Sequence, residues 1–283
     1  PNEDKLCFSA VFELDHNGHV LDEWFGRTVI HSDSRMAYEE AQEIIENGYV
    51  EDWDIGNTQE LGMNIIAAVL DLDRVAKKMR TQRLKTGSIS FDKQEIKFKL
   101  DENSYPIGIE FKIQKDANKL IEEYMLLANK SVAKFLKKKG VCINRAHTEP
   151  DVTRIQSLRE LIIPMGYNIK TGSPKELTAS LNKLLIDIKG TPEEGMISNL
   201  VVRTMQKATY TTDNIGHYGL GFDDYTHFTS PIRRYPDVIS HRLLGRVLAG
   251  KEPMKKTKLE ARCRHCSDRE VRAQKASRES IKY

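Results

Sequence analysis

The stretch over residues 217–244, HYGLGFDDYTHFTSPIRRYPDVISHRLL, decides how this chain is interpreted. Ser230 can cap a tight turn or a helix, and Pro231 suits the position after such a cap because its missing N–H would be unpaired there. A second proline five residues later is tolerated only near the start of a regular helix. The spacing therefore predicts a tight turn over 231–235 that leads into a helix over about 236–249.

Two adjacent arginines, Arg233 and Arg234, lie at the positive end of that predicted helix. A guanidinium group forms paired hydrogen bonds to phosphate oxygens, and Thr229 and Ser230 add hydroxyl donors nearby. The alternative is a solvated helix start in which an arginine packs on Tyr235. The convergence of donors and aromatic residues favours a phosphate site, where an arginine would stabilise charge that builds up on the phosphate oxygens.

Length and composition restrict the class of protein. The 283 residues can bury a large core, and the four cysteines are too few and too scattered for a disulfide framework, which favours a reducing compartment. No apolar run approaches the roughly 18–20 residues of a membrane span, and no signal peptide is present. Net charge is only +3, but residues 251–283 hold 11 Lys or Arg against 5 Asp or Glu. A glycine-rich phosphate loop is also absent, so no nucleotide cofactor is expected.

The order of the predicted elements indicates one α+β domain with strands mostly early and helices mostly late. Strands are predicted over residues 5–12, 18–30, 88–100, 105–113 and 141–145, the first two joined through an Asn-Gly turn. Helices are predicted over 35–46, 58–84, 116–138, 150–164, 174–188 and 192–209 and from about 257. Ser34 and Ser173 are predicted to cap the first and fifth of these helices. The second helix should bury a stripe formed by Leu61, Ile65, Ile66, Val69 and Leu70.

Several single residues have both an ordinary and a functional interpretation. Glu122 is either a surface acid of the helix over 116–138 or a partly buried acid that joins a site. Phe91 is either a core aromatic residue of a strand or a platform on which a nucleobase stacks. Tyr38 is either an amphipathic core residue or a hydrogen-bonding or catalytic phenol. The pair Cys263 and Cys266 has the spacing of a zinc ligand pair, but no second pair accompanies it, so no metal is predicted there.

The central stretch resembles the signature of the ribonuclease II/ribonuclease R catalytic domain, the RNB domain. Other segments of the chain resemble the same family in the same order, namely NEDKLCFSAVFELDHNGHV, SDSRMAYEEAQEII, GSISFDKQEIKFKL, DANKLIEEYMLLANKSVAKFL and LVVRTMQKATY. The resemblance covers almost the whole chain and is closer to bacterial ribonuclease R than to ribonuclease II. It implies a cytoplasmic, processive, hydrolytic 3′→5′ exoribonuclease that acts on single-stranded RNA and releases nucleoside 5′-monophosphates with magnesium.

The resemblance also assigns roles to particular residues. Arg233 matches the catalytic arginine that contacts the phosphate at the scissile end, and Tyr38 matches a tyrosine at the catalytic centre. Glu122 matches a glutamate near the terminal ribose and bases. Phe91 matches one aromatic residue of the clamp that stacks the last nucleotides. Because stacking tolerates any base, such a clamp suits an enzyme that moves along any RNA.

One departure from the family limits these expectations. The family holds its magnesium with an aspartate cluster upstream of the PNEDKLCFSA match, and no such cluster occurs here, so the metal ligands are expected to lie outside this chain. Both ends look like cuts through a longer protein, and residues 1–283 are interpreted as a partial RNB domain that lacks its flanking oligonucleotide-binding folds. The chain alone is therefore predicted to be inactive. The alternative is a non-catalytic RNA-binding or scaffold protein that keeps the RNB shape.

Overall fold

A computed structural model describes residues 3–48, 59–90, 95–103, 105–252 and 254–281. The chain forms two compact units, one made of residues 1–82 with 90–125 and the other of residues 83–89 with 126–283. Helices and antiparallel two-stranded ladders occur in both, so the predicted α+β class is confirmed. The extent of the domain in a longer protein stays a prediction.

The first unit opens with the predicted hairpin. Strands β1 (Lys5–Leu14) and β2 (Val20–Ile30) pair antiparallel, with Ala10 opposite Phe25. Asp15 closes the turn, because its Oδ1 accepts the backbone N–H groups of Asn17 and His19, each at 2.8 Å. Hydrogen bonds from His19 hold the pKa of Asp15 at about 2, well below its usual value.

Helix α1 (Tyr38–Asn47) begins three residues later than predicted, and the prediction that Ser34 caps it is wrong. Ala37 is the extended residue before the helix, and its N–H is accepted by the Glu40 carboxylate from within the first turn. The acid at this position therefore takes over the capping that the upstream serine was expected to provide.

Helix α2 (Gln59–Thr86) agrees with its predicted range, but its buried stripe differs from the predicted one. Buried positions include Val69, Asp73 and Ala76, which recur at helical spacing, whereas Leu70 is exposed. Ile65 and Ile66 are half-buried, and the side chain of Leu61 lies outside the described residues. Periodicity identified the helix correctly, but it assigned Leu70 to the buried face and missed Asp73 and Ala76.

The second predicted hairpin is also present, in a shorter form. Strand β3 (Glu95–Leu100) pairs antiparallel with β4 (Pro106–Lys112), with Phe98 opposite Ile109. Residues 88–90, which were predicted to open the strand, are not in it.

Helix α3 (Asp116–Lys138) has the predicted bounds and ends in Lys137 and Lys138, as expected from the helix dipole. Its residues 116–125 belong to the first unit, where the Gln42 side chain of α1 accepts the Ala117 N–H at 2.9 Å. Residues 126–138 belong to the second unit and include Val132 and Leu136, both almost fully buried.

The second unit is mainly helical. Its remaining helices are α4 (Val152–Ile162), α5 (Pro174–Asp187), α6 (Glu194–Thr204), α7 (Tyr235–Leu248) and α8 (Lys256–Ser280). Ser173 caps α5 as predicted, because its hydroxyl accepts the Glu176 N–H at 3.3 Å. The predicted helix over 192–209 is too long, since Thr209–Thr211 form strand β6, which pairs with β5 (Asn144–Ala146). Two threonines around a tyrosine favour a strand once a partner is available.

Helices α7 and α8 are anchored in the core of this unit by fully buried side chains. Its fully buried side chains include Leu181 of α5, Ile197 of α6, Ile239 and Leu244 of α7 and Leu259 of α8. A rigid start of α7 is what gives the central sequence stretch a defined geometry.

Candidate active site

Four predicted site residues, Thr229, Ser230, Arg233 and Arg234, lie in one turn in front of α7. The Ser230 carbonyl accepts the N–H groups of Arg233 at 3.3 Å and Arg234 at 3.0 Å. Arg234 is extended and precedes the helix, which begins at Tyr235, one residue before the predicted start. The prediction of a tight turn that leads into a helix is therefore confirmed, although no side-chain hydrogen bond caps the helix.

Asp237, which the sequence reasoning did not single out, holds this turn in place. Its side chain is completely buried, and its Oδ1 accepts the Ser230 N–H at 2.7 Å and a guanidinium N–H of Arg234 at 2.8 Å. An acid in the first turn after the proline was the available signal, because such acids often reach back to N–H groups upstream of the helix. One buried carboxylate thus fixes both the backbone and the second arginine.

The two arginines consequently differ in their surroundings. Arg234 is mostly buried and paired with Asp237, whereas Arg233 is exposed. The nearest polar contact of the Arg233 guanidinium is the Ser230 hydroxyl at 3.4 Å, and no carboxylate of the described ranges pairs with it. Arg233 is therefore the guanidinium available to an external anion.

The aromatic residues that flank the turn have mainly structural roles. Phe228 is buried and stacks on His241 with ring centroids 4.3 Å apart, and its N–H is donated to Asn129 at 2.9 Å. Tyr225 is also buried and accepts a hydrogen bond from Asn129. Of the three aromatic residues at positions 225, 228 and 235, only Tyr235 is exposed, with half of its surface accessible.

Three buried polar atoms at the turn have no hydrogen-bond partner among the described residues. They are Thr229 Oγ1, Arg234 Nε and Asp237 Oδ2. Each such atom costs about 1–3 kcal/mol relative to a satisfied one. All three lie at the turn that presents Arg233.

The loop before the turn contains histidines that burial keeps neutral. Burial lowers the pKa of His217 to about 3, helped by the charge of His147. Burial also lowers the pKa of His227 to about 2, helped by the nearby Arg234 guanidinium. The His227 ring nitrogen lies 2.7 Å from the Tyr210 hydroxyl. These groups support the turn and add no positive charge to it near neutral pH.

Two of the other predicted site residues, Tyr38 and Glu122, belong to the first unit. Tyr38 is the first residue of α1 and is exposed. Glu122 on α3 is half-buried, while its neighbour Glu123 is almost fully buried. Phe91 lies outside the described residues. The structure therefore brings together the four turn residues, and Tyr38 and Glu122 are placed on helices of the other unit.

The described residues do not fit a divalent metal. Within the described ranges, no group of three or more His, Cys, Asp or Glu side chains is placed to hold an ion. Neighbouring acids of α2 are engaged with cations, since Asp71 pairs with Arg74 and Asp73 with Lys77. Asp224 pairs with Lys137 at 2.8 Å.

The cysteines are free thiols, three of them buried. Burial raises the pKa of Cys142 and of Cys263 to about 12 and also raises that of Cys266. A protonated, buried thiol is a poor metal ligand and a poor nucleophile.

Comparison with known proteins shows the family of the chain. The family model of the RNB domain matches residues 1–250. The chain belongs to the RNB domain family. The turn over residues 229–234, including the exposed Arg233, lies within the matched range.

The curated relatives include proteins named as exonucleases or ribonucleases and one named as an inactive exonuclease. The chain is 35% identical to a DIS3-like exonuclease 2 of Schizosaccharomyces pombe, over 96% of this chain and 31% of the relative. It is also 35% identical to a ribonuclease R of Aquifex aeolicus, over 100% of this chain and 40% of the relative. An inactive exonuclease DIS3L2 of Arabidopsis thaliana is 31% identical, over 91% of this chain and 26% of the relative. The resemblance to ribonuclease R is confirmed, and it extends equally to DIS3-like proteins.

A solved structure shows the same fold. The RNase R of Mycoplasma genitalium, in complex with ribose-methylated single-stranded RNA, matches with a TM-score of 0.87 at 24% identity, covering 99% of this chain and 44% of that chain. The chain thus spans less than half the length of each of these four proteins. Within the described part of the chain, no helix has the length and apolar character needed to cross a membrane.

Proposed function

We propose that this RNB chain is part of a hydrolytic exoribonuclease that degrades single-stranded RNA from its 3′ end and releases nucleoside 5′-monophosphates. The observation that carries the proposal is the turn in which buried Asp237 fixes Arg234 and leaves the Arg233 guanidinium exposed and unpaired by any carboxylate of the described ranges. An exposed guanidinium on a backbone turn that a buried carboxylate holds suits the stabilisation of charge on a phosphate that is being cleaved. The related ribonuclease R and exonuclease names support the same reaction class.

The remaining site residues receive the following proposed roles. Arg233 contacts the reacting phosphate and Ser230 adds a donor to the RNA backbone. Thr229 and Arg234, also predicted as RNA-binding residues, shape the turn, since the Thr229 hydroxyl is buried and Arg234 is paired with Asp237. Tyr38 acts at the catalytic centre and Phe91 stacks a terminal base. Glu122 lies near the terminal ribose, where a contact to the 2′-OH would distinguish RNA from DNA.

Magnesium is proposed as the cofactor of the longer protein, with ligands outside this chain. When bound, such a metal activates water and stabilises the leaving oxygen. Because the described residues do not fit a divalent metal, the chain alone is proposed to be inactive. The four free thiols support a reducing compartment such as the cytoplasm.

Cleavage of a 5′-labelled, unstructured oligoribonucleotide tests the proposal. A longer protein that contains the aspartate cluster should give a ladder from the 3′ end with magnesium, and the 283-residue chain should give none. Robust laddering by the 283-residue chain would contradict its proposed inactivity. Absence of cleavage by the longer protein would contradict the proposed activity.

Arg233 variants of the longer protein test the assigned role. Arg233→Ala should slow the cleavage step by about 100-fold or more, because a donor aimed at developing charge has been removed. RNA affinity should change much less, because many other contacts hold the strand. Arg233→Lys should also fail largely, since an ammonium lacks the planar fork. Equal losses in rate and affinity would identify Arg233 as a binding residue only.

A second candidate is a non-catalytic RNA-binding or scaffold protein of the RNB family. The inactive DIS3L2 relative favours keeping this candidate. It requires RNA affinity without cleavage by the longer protein, and an upstream sequence without the aspartate cluster. The same cleavage assay therefore separates the two functions.

A further inference from the structure

Helix α8 carries a line of cations along one face. Lys258, Arg262, His265, Arg269 and Arg272 follow one another at steps of four and three residues, and at 100° per residue they fall within an arc of about 80°. We call these five residues the α8 stripe. From its first to its last member the stripe extends about 21 Å, because an α-helix rises 1.5 Å per residue.

Ion pairing separates the stripe from the other basic residues of α8. Lys256 pairs with Asp213, Arg264 approaches Glu260 and Lys275 approaches Glu279. No carboxylate of the described ranges pairs with the four Lys and Arg members of the stripe, although all but Arg262 are exposed. Three of the four basic residues of α8 outside the stripe thus have a carboxylate nearby, the exception being Arg278, whereas the Lys and Arg members of the stripe have none in the described ranges.

A cleft opens at the start of the stripe. It has a volume of about 470 Å³ and is lined by Tyr235, Lys258, Ala261, Arg262 and His265. Tyr235 exposes half of its surface, and the small Ala261 side chain leaves room beside it. An accessible aromatic ring with two cations beside it offers a stacking surface and phosphate contacts in one place.

We propose that the α8 stripe and Tyr235 form a binding track for single-stranded RNA, in which a base stacks on Tyr235 and successive phosphates contact the stripe. This track deepens the proposed function and rests on it. Arg233 precedes Tyr235 by two residues, so the track begins beside the turn that presents the proposed catalytic arginine. No member of the track is assigned to the reacting phosphate.

The chemistry of the face favours a nucleic acid over other anionic partners. Membrane-surface helices combine basic residues with a large exposed apolar face, and none of the five stripe residues is apolar. Protein interfaces place apolar and aromatic residues at their centre, whereas the only aromatic residue here lies at one end of the track. A charged line with one aromatic platform corresponds to the backbone and base of a single strand.

Salt dependence of binding tests the stripe. The probe is a fluorescein-labelled, unstructured oligoribonucleotide, bound to the 283-residue chain in EDTA so that no cleavage occurs. The stripe variant is K258Q/R262Q/R269Q/R272Q, and the matched control K256Q/R264Q/K275Q/R278Q removes the same charge from other positions on the same helix. Circular dichroism and thermal melting confirm that both variants are folded.

The expected results differ between the two variants. Each phosphate contact contributes about 0.7 to the slope of log affinity against log salt for a single strand, so the stripe variant should lose about 2–3 of that slope. The control should lose less than about 1. Equal slopes for the two variants would overturn the proposed track, because the contribution would then be general charge.

Tyr235 variants test the aromatic end. Tyr235→Leu should weaken binding about tenfold, whereas Tyr235→Phe, which keeps the ring, should bind nearly as well as the unmodified chain. If Leu and Phe have the same effect, stacking on Tyr235 is excluded.

The remaining outcomes separate the track from the exonuclease proposal. RNA binding that depends on the stripe, without cleavage by the longer protein, would support the track and contradict the exonuclease. If the longer protein cleaves RNA and the stripe substitutions change neither its rate nor its RNA affinity, the result would support the exonuclease and contradict the track. Binding of anionic phospholipid vesicles but not RNA by the 283-residue chain would overturn the track and assign the stripe to a membrane surface.

Discussion

The turn before α7 and the β3–β4 hairpin place polar and apolar groups in opposite ways. The turn buries polar groups, namely the Asp237 carboxylate, most of the Arg234 guanidinium and the Thr229 hydroxyl. Beside them Phe228 stacks on His241. On the hairpin, Ile107, Ile109 and Phe111 each expose more than half of their surface. Folded proteins usually bury apolar side chains and expose charged ones. Removing one partner of the buried pair at the turn should therefore cost much free energy, because the other charge is left buried and unpaired, whereas the exposed hairpin side chains contribute little to the unit that carries them.

Acidification should produce the largest effect on the buried side of this comparison. In the unfolded chain His217 and His227 take up protons near pH 6.5, but in the folded chain only near pH 3 and pH 2. Stability is thus fully present above pH 6.5 and declines as pH falls below it. Between pH 7 and pH 5 the free energy of unfolding should drop by up to about 4 kcal/mol. Urea denaturation across that range measures the drop.

Single variants identify the source of this pH dependence. His217→Asn and His227→Gln should each remove about 2 kcal/mol of this drop, since each removes one buried histidine, while His147, whose pKa burial also lowers, keeps contributing. A profile that stays equally steep in both variants would show that other groups cause the effect.

Removal of the buried carboxylate should be the next largest effect. Asp237→Ala leaves the Arg234 guanidinium mostly buried without its counter-charge and the Ser230 N–H without an acceptor. The expected loss is about 3 kcal/mol in the free energy of unfolding, measured by urea denaturation. Asp237→Asn keeps the size and one acceptor and should lose less. A loss below about 1 kcal/mol for Asp237→Ala would mean that the turn does not depend on this residue.

Substitution of the two adjacent arginines should change the free energy of unfolding by different amounts. Arg234→Ala leaves the fully buried Asp237 without its ionic partner and should destabilise the chain by about 2 kcal/mol. Arg233→Ala, at an exposed position, should change stability by less than about 0.5 kcal/mol. Thermal and urea denaturation of both variants provide the comparison. Similar losses would indicate that Arg233 also stabilises the fold.

The hairpin should show the smallest effect. Ile109→Lys places a charge on the exposed face and should change the free energy of unfolding by less than about 0.5 kcal/mol. A loss near 2 kcal/mol would break the comparison, because it would show that the apolar face is covered in solution. Size-exclusion chromatography of the variant and of the unmodified chain then distinguishes self-association from burial within one chain.

Much of the secondary structure followed from the sequence. Helix α3 has the predicted bounds because its apolar spacing, its lysine-rich end and the following glycine all indicate the same helix. The Asn-Gly turn located the first hairpin. Errors occurred where a distant or alternative partner decided the outcome, as with Glu40 in place of Ser34, and with β5, which recruits Thr209–Thr211 from the predicted helix.

The site was predictable in position but not in detail. The motif located the turn, and the prolines located the helix start. Which arginine is free could not be predicted, because it depends on where the Asp237 carboxylate points after folding. The burial of Phe228 and Tyr225 could not be predicted either, since an aromatic residue beside a turn can pack inward or remain exposed.

The distribution of the thiols has a consequence for covalent labelling. Cys142, Cys263 and Cys266 are buried and protonated, while Cys7 on β1 is only half-buried. Maleimide reacts with accessible thiolates, so a brief treatment of the folded chain should modify Cys7 first, as tryptic mass spectrometry would show. The natural sequence thus provides one preferential attachment point for a fluorophore, on the first hairpin and far along the chain from the arginine turn.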